Sequence, residues 1–301
     1  MDVRRIEVDV VGVAPAGAST VVVDLVLPDD PPVAVACCFP GGGMSRRYWD
    51  LWSPELPGYS MARFLAGAGV AVMAVDHLGI GESSRPFDAY TLTPAVLADV
   101  NARVCSVVAA PLGVPMIAVA HSMGGLLAVH QQARHRSFAA LALLGFSGSG
   151  LPGVLTESEM AFAGRPVELA AALPGLVEAR FGSPLPLSMT ASSDFLIAGV
   201  SVAPARALLA GAATPLLALA GLTAMIPGVS AAELGAIEVP VFVGLGERDI
   251  AGPACDLPAQ LPGCRDITLY VLAGSGHNHV IADNRAELWA RLAAWARCVI
   301  M

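Results

Sequence analysis

Apolar residues in this chain fall into two kinds of run, and their order predicts the architecture. Ile6 to Val11 and Thr20 to Leu27 mix apolar and polar positions, as strands with one solvated face do. Val33 to Phe39, Val70 to Val75, Met116 to Ala120, Phe138 to Leu144 and Val241 to Leu245 are almost continuously apolar, which suits strands buried on both faces. Ile267 to Leu272 predicts one more strand. Between the strands, Val96, Leu97, Val100, Val104, Val107 and Val108 recur at helical spacing behind a Thr93-Pro94 start. Leu126 to Ala133 predicts a second helix. Leu288, Leu292 and Trp295 mark a last one, whose Asn284 and Glu287 have the spacing of a capping box. Alternating strands and helices of this kind predict an α/β fold, with a parallel sheet covered on both faces.

The alternation stops near Ser147 and resumes near Ile237. The expected organisation is therefore a core in two sequence pieces, 1–147 and 236–301, interrupted by a mostly helical cap over 148–235. From Ala207 to Ala232 there is no charged residue, long enough to span a bilayer, but Pro215, Pro227, Gly211, Gly221 and Gly228 interrupt the run. No flanking cationic cluster or aromatic belt anchors it. A buried or cleft-lining helical region is expected, without stable membrane insertion.

Composition narrows the partners. Hydrophobic residues make up 55% of the 301 and charged residues 14%, which excludes a disordered chain. A net charge of −8 with no basic run argues against a nucleic-acid partner, which needs a positive patch to hold phosphates. The first ten residues alternate charged and apolar side chains rather than forming an uninterrupted apolar stretch, so a cytoplasmic location is expected. The six cysteines include no C-x-x-C pair, and neither a metal nor a cofactor is expected. Cys255 and Cys264 flank a short Pro-containing segment and are expected to be free thiols.

The strongest chemical signal is Ala120-His121-Ser122-Met123-Gly124-Gly125, between an apolar strand and a helix. A serine on such a tight turn has its hydroxyl lifted above the sheet. The turn brings the positions two before and two after the serine together, so Ala120 and Gly124 are expected to be small for each other's sake. A serine hydroxyl is a weak nucleophile and needs a base, which in turn needs an orienting acid. Downstream, Asp249 follows the strand Val241 to Leu245, and His277 follows Gly274-Ser275-Gly276. His279 competes for the base role, and Asp256 and Asp266 for the acid. His277 and Asp249 are favoured by their positions in their loops, His121 is expected to point away from Ser122, and His77 precedes the serine in chain order. A tetrahedral oxyanion needs two pre-aimed backbone N–H groups. Met123 is one candidate. Gly42 is the other, with Gly41 and Gly43 open as alternatives, in a loop that lacks the Gly-Lys-Ser/Thr of a phosphate cradle. Asp76 to Ser83 predicts a tight structural loop beneath the site.

Taken together, the glycines at 41–43, Asp76 to Ser83, the turn at 120–125, Asp249 and His277 resemble the α/β-hydrolase superfamily, along nearly the whole chain. The resemblance implies an eight-stranded, mostly parallel sheet with a helical cap over the site. The Pro40-Gly41-Gly42-Gly43 loop and the following Ser45-Arg46-Arg47-Tyr48 are similar to those of bacterial carboxylesterases that act on monoesters. Ala120 departs from the usual glycine without touching a catalytic role.

The expected activity is hydrolysis of a small-molecule carboxylic ester through Ser122, His277 and Asp249. The alternatives are a thioesterase, a lactonase, a carbon–carbon bond hydrolase or a slow-turnover ligand receptor on the same fold. Arg46 and Arg47, just after the oxyanion loop, are candidate contacts for a substrate carboxylate. Their competing role is as solvated or loop-tying side chains.

Overall fold

The computed structural model describes residues 1–187 and 194–300. Its centre is an eight-stranded sheet in the order β1-β2-β4-β3-β5-β6-β7-β8. The strands are β1 Asp2–Asp9, β2 Thr20–Leu27, β3 Ala34–Phe39, β4 Val70–Val75, β5 Met116–His121, β6 Ala140–Leu144, β7 Val241–Gly246 and β8 Ile267–Leu272. β1 and β2 pair antiparallel, as do β2 and β4, and every pairing from β4 to β8 is parallel. β1 carries Asp2, Arg4, Arg5, Glu7 and Asp9 and is mostly exposed, so charge guards that sheet edge against further pairing.

The continuously apolar strands are buried because both faces are covered. Alternate residues point to opposite faces, and they sort accordingly. Val35, Cys37 and Phe39 of β3 and Ala118 and Ala120 of β5 join one core, with α2 (Pro94–Val108) and α3 (Met123–His135). Ala34, Ala36, Cys38, Ile117 and Val119 join the other, with α1 (Met61–Gly67) and α9 (Arg285–Val299). α2 starts as its sequence predicts, with Thr93 accepting from the Val96 N–H and Pro94 at the first helical position. α9 starts at the expected place without the expected capping box. Asn284 donates its side-chain amide to the Ala273 carbonyl, and the Glu287 carboxylate accepts from the Tyr270 hydroxyl.

Between β6 and β7 lie α4 (Glu157–Met160), α5 (Pro166–Phe181), α6 (Ala203–Ala210), α7 (Ala218–Met225) and α8 (Ala231–Gly235). Residues 188–193 of this expected cap lie outside the described residues. The uncharged run takes in the second half of α6, all of α7 and the start of α8, with an irregular stretch at Pro215 between the first two, and each of these helices is too short to cross a bilayer. One longer apolar helical stretch, Pro94–Leu112, has the length of a span, and its Leu97, Val100, Val104 and Val108 pack into the core. Among the hydrogen bonds that stitch the insertion to the core, two pairs lie beside the candidate site. Ser45 N–H donates to Ala212 O and Thr214 N–H to Gly43 O, both at the oxyanion loop. Gly276 N–H donates to Ala198 O and Asn278 N–H to Leu196 O, both at the loop of His277. All six cysteines are unbridged.

Candidate active site

β5 runs into α3 through a single residue. Ser122 has φ 52° and ψ −121°, a conformation that non-glycine residues rarely hold. Hydrogen bonds over-determine it: Ser122 N–H donates to Leu144 O at 2.8 Å, and Gly125 N–H donates to Ser122 O at 2.7 Å. The need for Gly124 differs from the sequence expectation. A Cβ there would stand 2.3 Å from the Phe39 carbonyl oxygen, so it is the end of β3 that requires glycine. A Cβ on Gly125 would stand 2.8 Å from the Phe146 side chain.

The carboxyl ends of β3, β5, β6 and β7 lie along one edge of the sheet, where sites of open α/β sheets gather. Asp249 sits in the turn after β7. A Cβ on Gly246 would stand 2.4 Å from the carbonyl oxygens of Ser275 and Gly276, so this glycine lets the Asp249 and His277 loops touch. His277 donates from Nδ1 to Asp249 Oδ1 at 2.7 Å, which leaves Nε2 as its free basic nitrogen. Asp249 also accepts from Ala251 N–H at 3.0 Å and Gly246 N–H at 3.3 Å. Burial pushes its pKa up, but the charge and hydrogen bonds of His277 and His279 outweigh burial and hold the carboxyl well below the usual range. His279 is bonded to the same carboxylate, through Nε2 to Oδ2 at 2.9 Å.

His121 is bonded to the main chain of His277. Its Nε2 donates to the His277 carbonyl at 2.9 Å, and burial keeps the ring neutral by lowering its pKa well below the ordinary value. His77 supports the glycine loop at 41–43 in a similar way. Its Nε2 donates to Pro40 O at 3.3 Å, and its Nδ1 accepts from Asn101. Gly43 takes φ +77° in that loop. The Gly42 N–H has no acceptor among the described residues. Met123 is the first residue of α3, so its N–H has no intrahelical acceptor either.

Ser122, His277, Gly42 and Met123 all line one cleft of ≈ 260 Å³. Phe146, Leu151, Phe181, Leu216, Met225 and Ile250 give it apolar walls. Leu216 lies directly over Gly42, where an added Cβ would come within 2.6 Å of its Cδ1. Of the apolar side chains on and next to α7, Leu216 and Met225 line the cleft. Leu217 instead joins the core, while Leu219 and Leu222 pack against Leu169, Leu173 and Val177.

Neither arginine proposed as a carboxylate contact lines this cleft. Arg46 is buried and fully engaged: Nε donates to Asp24 at 2.8 Å, Nη1 to Asp76 at 2.5 Å and Nη2 to Glu82 at 2.8 Å. Three carboxylates already occupy its fork. Arg47 is exposed beside it. The cation that does reach the cleft is Arg180 on α5, whose Nη1 donates to both oxygens of Glu159, at 2.9 and 2.7 Å. Among the described residues no group of three or more His, Cys, Asp or Glu side chains is placed to hold a metal ion.

A sequence model of the alpha/beta hydrolase family matches residues 38–292, a span that holds the elbow, the Asp249 turn and the His277 loop. The chain belongs to the alpha/beta hydrolase family. Solved structures agree with this hydrolase in fold. A thermostable carboxyl esterase from Bacillus coagulans, in complex with glycerol, superposes with a TM-score of 0.71 at 18% identity, over 100% of each chain. A thermophilic esterase from Thermogutta terrifontis, malate bound, gives 0.62 at 17%, over 99% of this chain and 100% of its own. A thioesterase domain from the curacin biosynthetic pathway gives 0.64 at 18%, over 98% and 100%. A search of curated proteins finds no match to the hydrolase sequence.

Two features of the hydrolase site escaped the sequence reading. Arg180 stands near the end of α5, a helix that also carries Glu168 and Glu178 and holds none of the motifs, and only folding brings it to the cleft and pairs it with Glu159. His279 was weighed solely as a rival base. The two-residue spacing from His277 was its signal, since a tight turn can aim both rings at one carboxylate.

Proposed function

We propose that this hydrolase cleaves carboxylic esters with an apolar acyl or alcohol group, through a covalent acyl-enzyme on Ser122. One observation supports this most strongly. Ser122 shares a cleft with the free Nε2 of an Asp249-held imidazole and with two N–H groups that have no acceptor among the described residues. In this reading His277 Nε2 takes the proton as Ser122 Oγ attacks the carbonyl carbon. The Gly42 and Met123 N–H groups bind the resulting oxyanion. Collapse breaks the ester C–O bond, and the proton on His277 passes to the leaving alcohol. Water then enters, gives its proton to His277 and attacks the acyl carbon, and the acid leaves as Ser122 regains its proton. Asp249 holds the Nδ1–H tautomer and stabilises the imidazolium that forms twice per cycle.

Residues 148–235 act in this proposal as the cap that supplies the apolar wall through Leu151, Leu216 and Met225. The ester carries no carboxylate held by Arg46, whose guanidinium is committed elsewhere. The test is turnover of p-nitrophenyl esters by the wild type and Ser122→Ala, with a matched thioester and lactone beside them. Ester turnover that is lost in Ser122→Ala supports the proposal. Preference for the thioester or lactone by kcat/KM would move the substrate class while keeping the machinery.

A further inference from the structure

A carboxylate that orients a base has two oxygens, and only one of them faces the base. Here the other is not left to backbone or solvent. Asp249 Oδ1 accepts from His277 Nδ1 at 2.7 Å and from Ala251 N–H at 3.0 Å. Asp249 Oδ2 accepts from His279 Nε2 at 2.9 Å and from Gly246 N–H at 3.3 Å. The imidazole of His279 is thus the close donor on Oδ2, and the backbone amide is the distant one. The Asp249 side chain is 1% exposed and that of His279 is 2% exposed, so water does not substitute readily for either. His279 does not line the cleft and cannot touch a substrate bound there. It opens a 3-10 turn, His279–Ile281, with its N–H donated to the His277 carbonyl, so the two rings are fixed by one tight stretch of chain.

We propose that His279 is a positioning residue for the reaction: it pins Asp249 Oδ2 so that the carboxylate plane stays aimed at His277 Nδ1. This rests on the esterase reading above. A carboxylate can swing about its Cβ–Cγ bond, and a swing of Asp249 would weaken its bond to Nδ1 at the moment the imidazolium forms. Two imidazoles on opposite oxygens leave that torsion no freedom. The contribution is made when His277 is protonated, so it belongs to the transition state rather than to substrate binding.

The test is a double-mutant cycle on p-nitrophenyl butyrate, with Ser122→Ala as the reference for the reading itself. His279→Phe removes the donor, while His279→Gln returns an N–H of comparable reach. The expected result for His279→Phe is a kcat loss on the order of 10–100-fold, by analogy with removing an outer partner of a metal-bound histidine, with KM nearly unchanged. His279→Gln should recover most of that loss. In an Asp249→Asn background, His279→Phe should cost little more, because its effect travels through Asp249. Equal losses in both backgrounds, or a rise in KM without a fall in kcat, would overturn the positioning role. So would full activity in His279→Phe while Ser122→Ala is dead, and that outcome leaves the esterase reading standing. Persistent turnover in Ser122→Ala would instead overturn the reading and this inference with it. Should His279→Phe fail to fold, His279→Asn, whose amide is too short to reach Oδ2, takes its place. Activity in His279→Asn equal to that of His279→Gln would then contradict the proposal.

Discussion

Arg46 is joined to Asp76 twice, through its backbone N–H to Oδ1 at 2.7 Å and through Nη1 to Oδ2 at 2.5 Å. The pair ties the segment after the 41–43 glycine loop to the loop after β4, since Asp76 also accepts from the Glu82 N–H. Removing Arg46 would leave the fully buried Asp76 carboxylate without its cation, which costs about 3–5 kcal/mol. Arg46→Ala should therefore lower Tm and depress activity equally on a monoester and on its neutral diester. Arg47→Ala should leave both activities near the wild-type value. A selective loss on the monoester in either variant would return the arginines to the substrate.

Gly124 offers a sharper structural test. An alanine there would drive its Cβ into backbone, 2.3 Å from Phe39 O and 2.7 Å from Pro40 O, and backbone at the end of a central strand cannot retreat. Gly124→Ala should yield little folded, active protein, while Gly153→Ala, with nothing within 4 Å, should behave as wild type in expression and thermal unfolding. Wild-type stability in Gly124→Ala would mean that β3 and the elbow are further apart than described.

The cleft walls make a prediction about chain length. Leu151, Phe181, Leu216 and Met225 surround the space next to Ser122. Each methylene that fits such a pocket contributes roughly 1–3 kcal/mol to discrimination. Esters with medium apolar groups should exceed acetate in kcat/KM, and Met225→Trp should shift the preference to shorter groups. A flat response across a p-nitrophenyl series would contradict an apolar cleft.

Much of this was legible in the sequence for a physical reason. A strand buried on both faces must be apolar throughout, so Val70–Val75 is found at the boundaries read from its side chains. The order serine, acid, histidine along the chain points to Ser122, Asp249 and His277, and the fold brings Ser122 and His277 to one cleft with Asp249 bonded to His277. What stayed hidden depended on long-range contacts. Arg46 looks like a free surface cation until β2 and the loop after β4 bring Asp24, Asp76 and Glu82 around it. The Asn284 and Glu287 spacing is a valid cap signal, but Ala273 O and Tyr270, both from other elements, took their side chains. Leu217, Leu219 and Leu222 are as apolar as Leu216, and only the direction of α7 decides which of them meets the cleft.

The buried histidines predict an acid sensitivity. Burial lowers the pKa of both His77 and His121, so each stays neutral in the folded protein while its unfolded counterpart titrates near 6.5. The unfolded chain therefore binds more protons as pH falls below that value, and stability falls with it. Two such groups give a slope approaching about 2.7 kcal/mol per pH unit, at 2.303RT per proton. Urea unfolding at intervals from about pH 7 to pH 5, the range spanning the ordinary histidine value, should show this decline. Stability that is level across the window would contradict neutral, buried His77 and His121.

The central claim is that Ser122 is the nucleophile, and one labelling experiment tests it most directly. A fluorophosphonate reacts with a serine only where a base activates the hydroxyl and an oxyanion site receives the phosphoryl oxygen. Incubation of the wild-type protein, followed by proteolysis and peptide mass measurement, should find one adduct per chain, on the peptide that contains Ser122. Ser122→Ala should take up none, and His277→Ala should react far more slowly. An adduct on another residue, with Ser122→Ala still hydrolysing esters, would contradict the account.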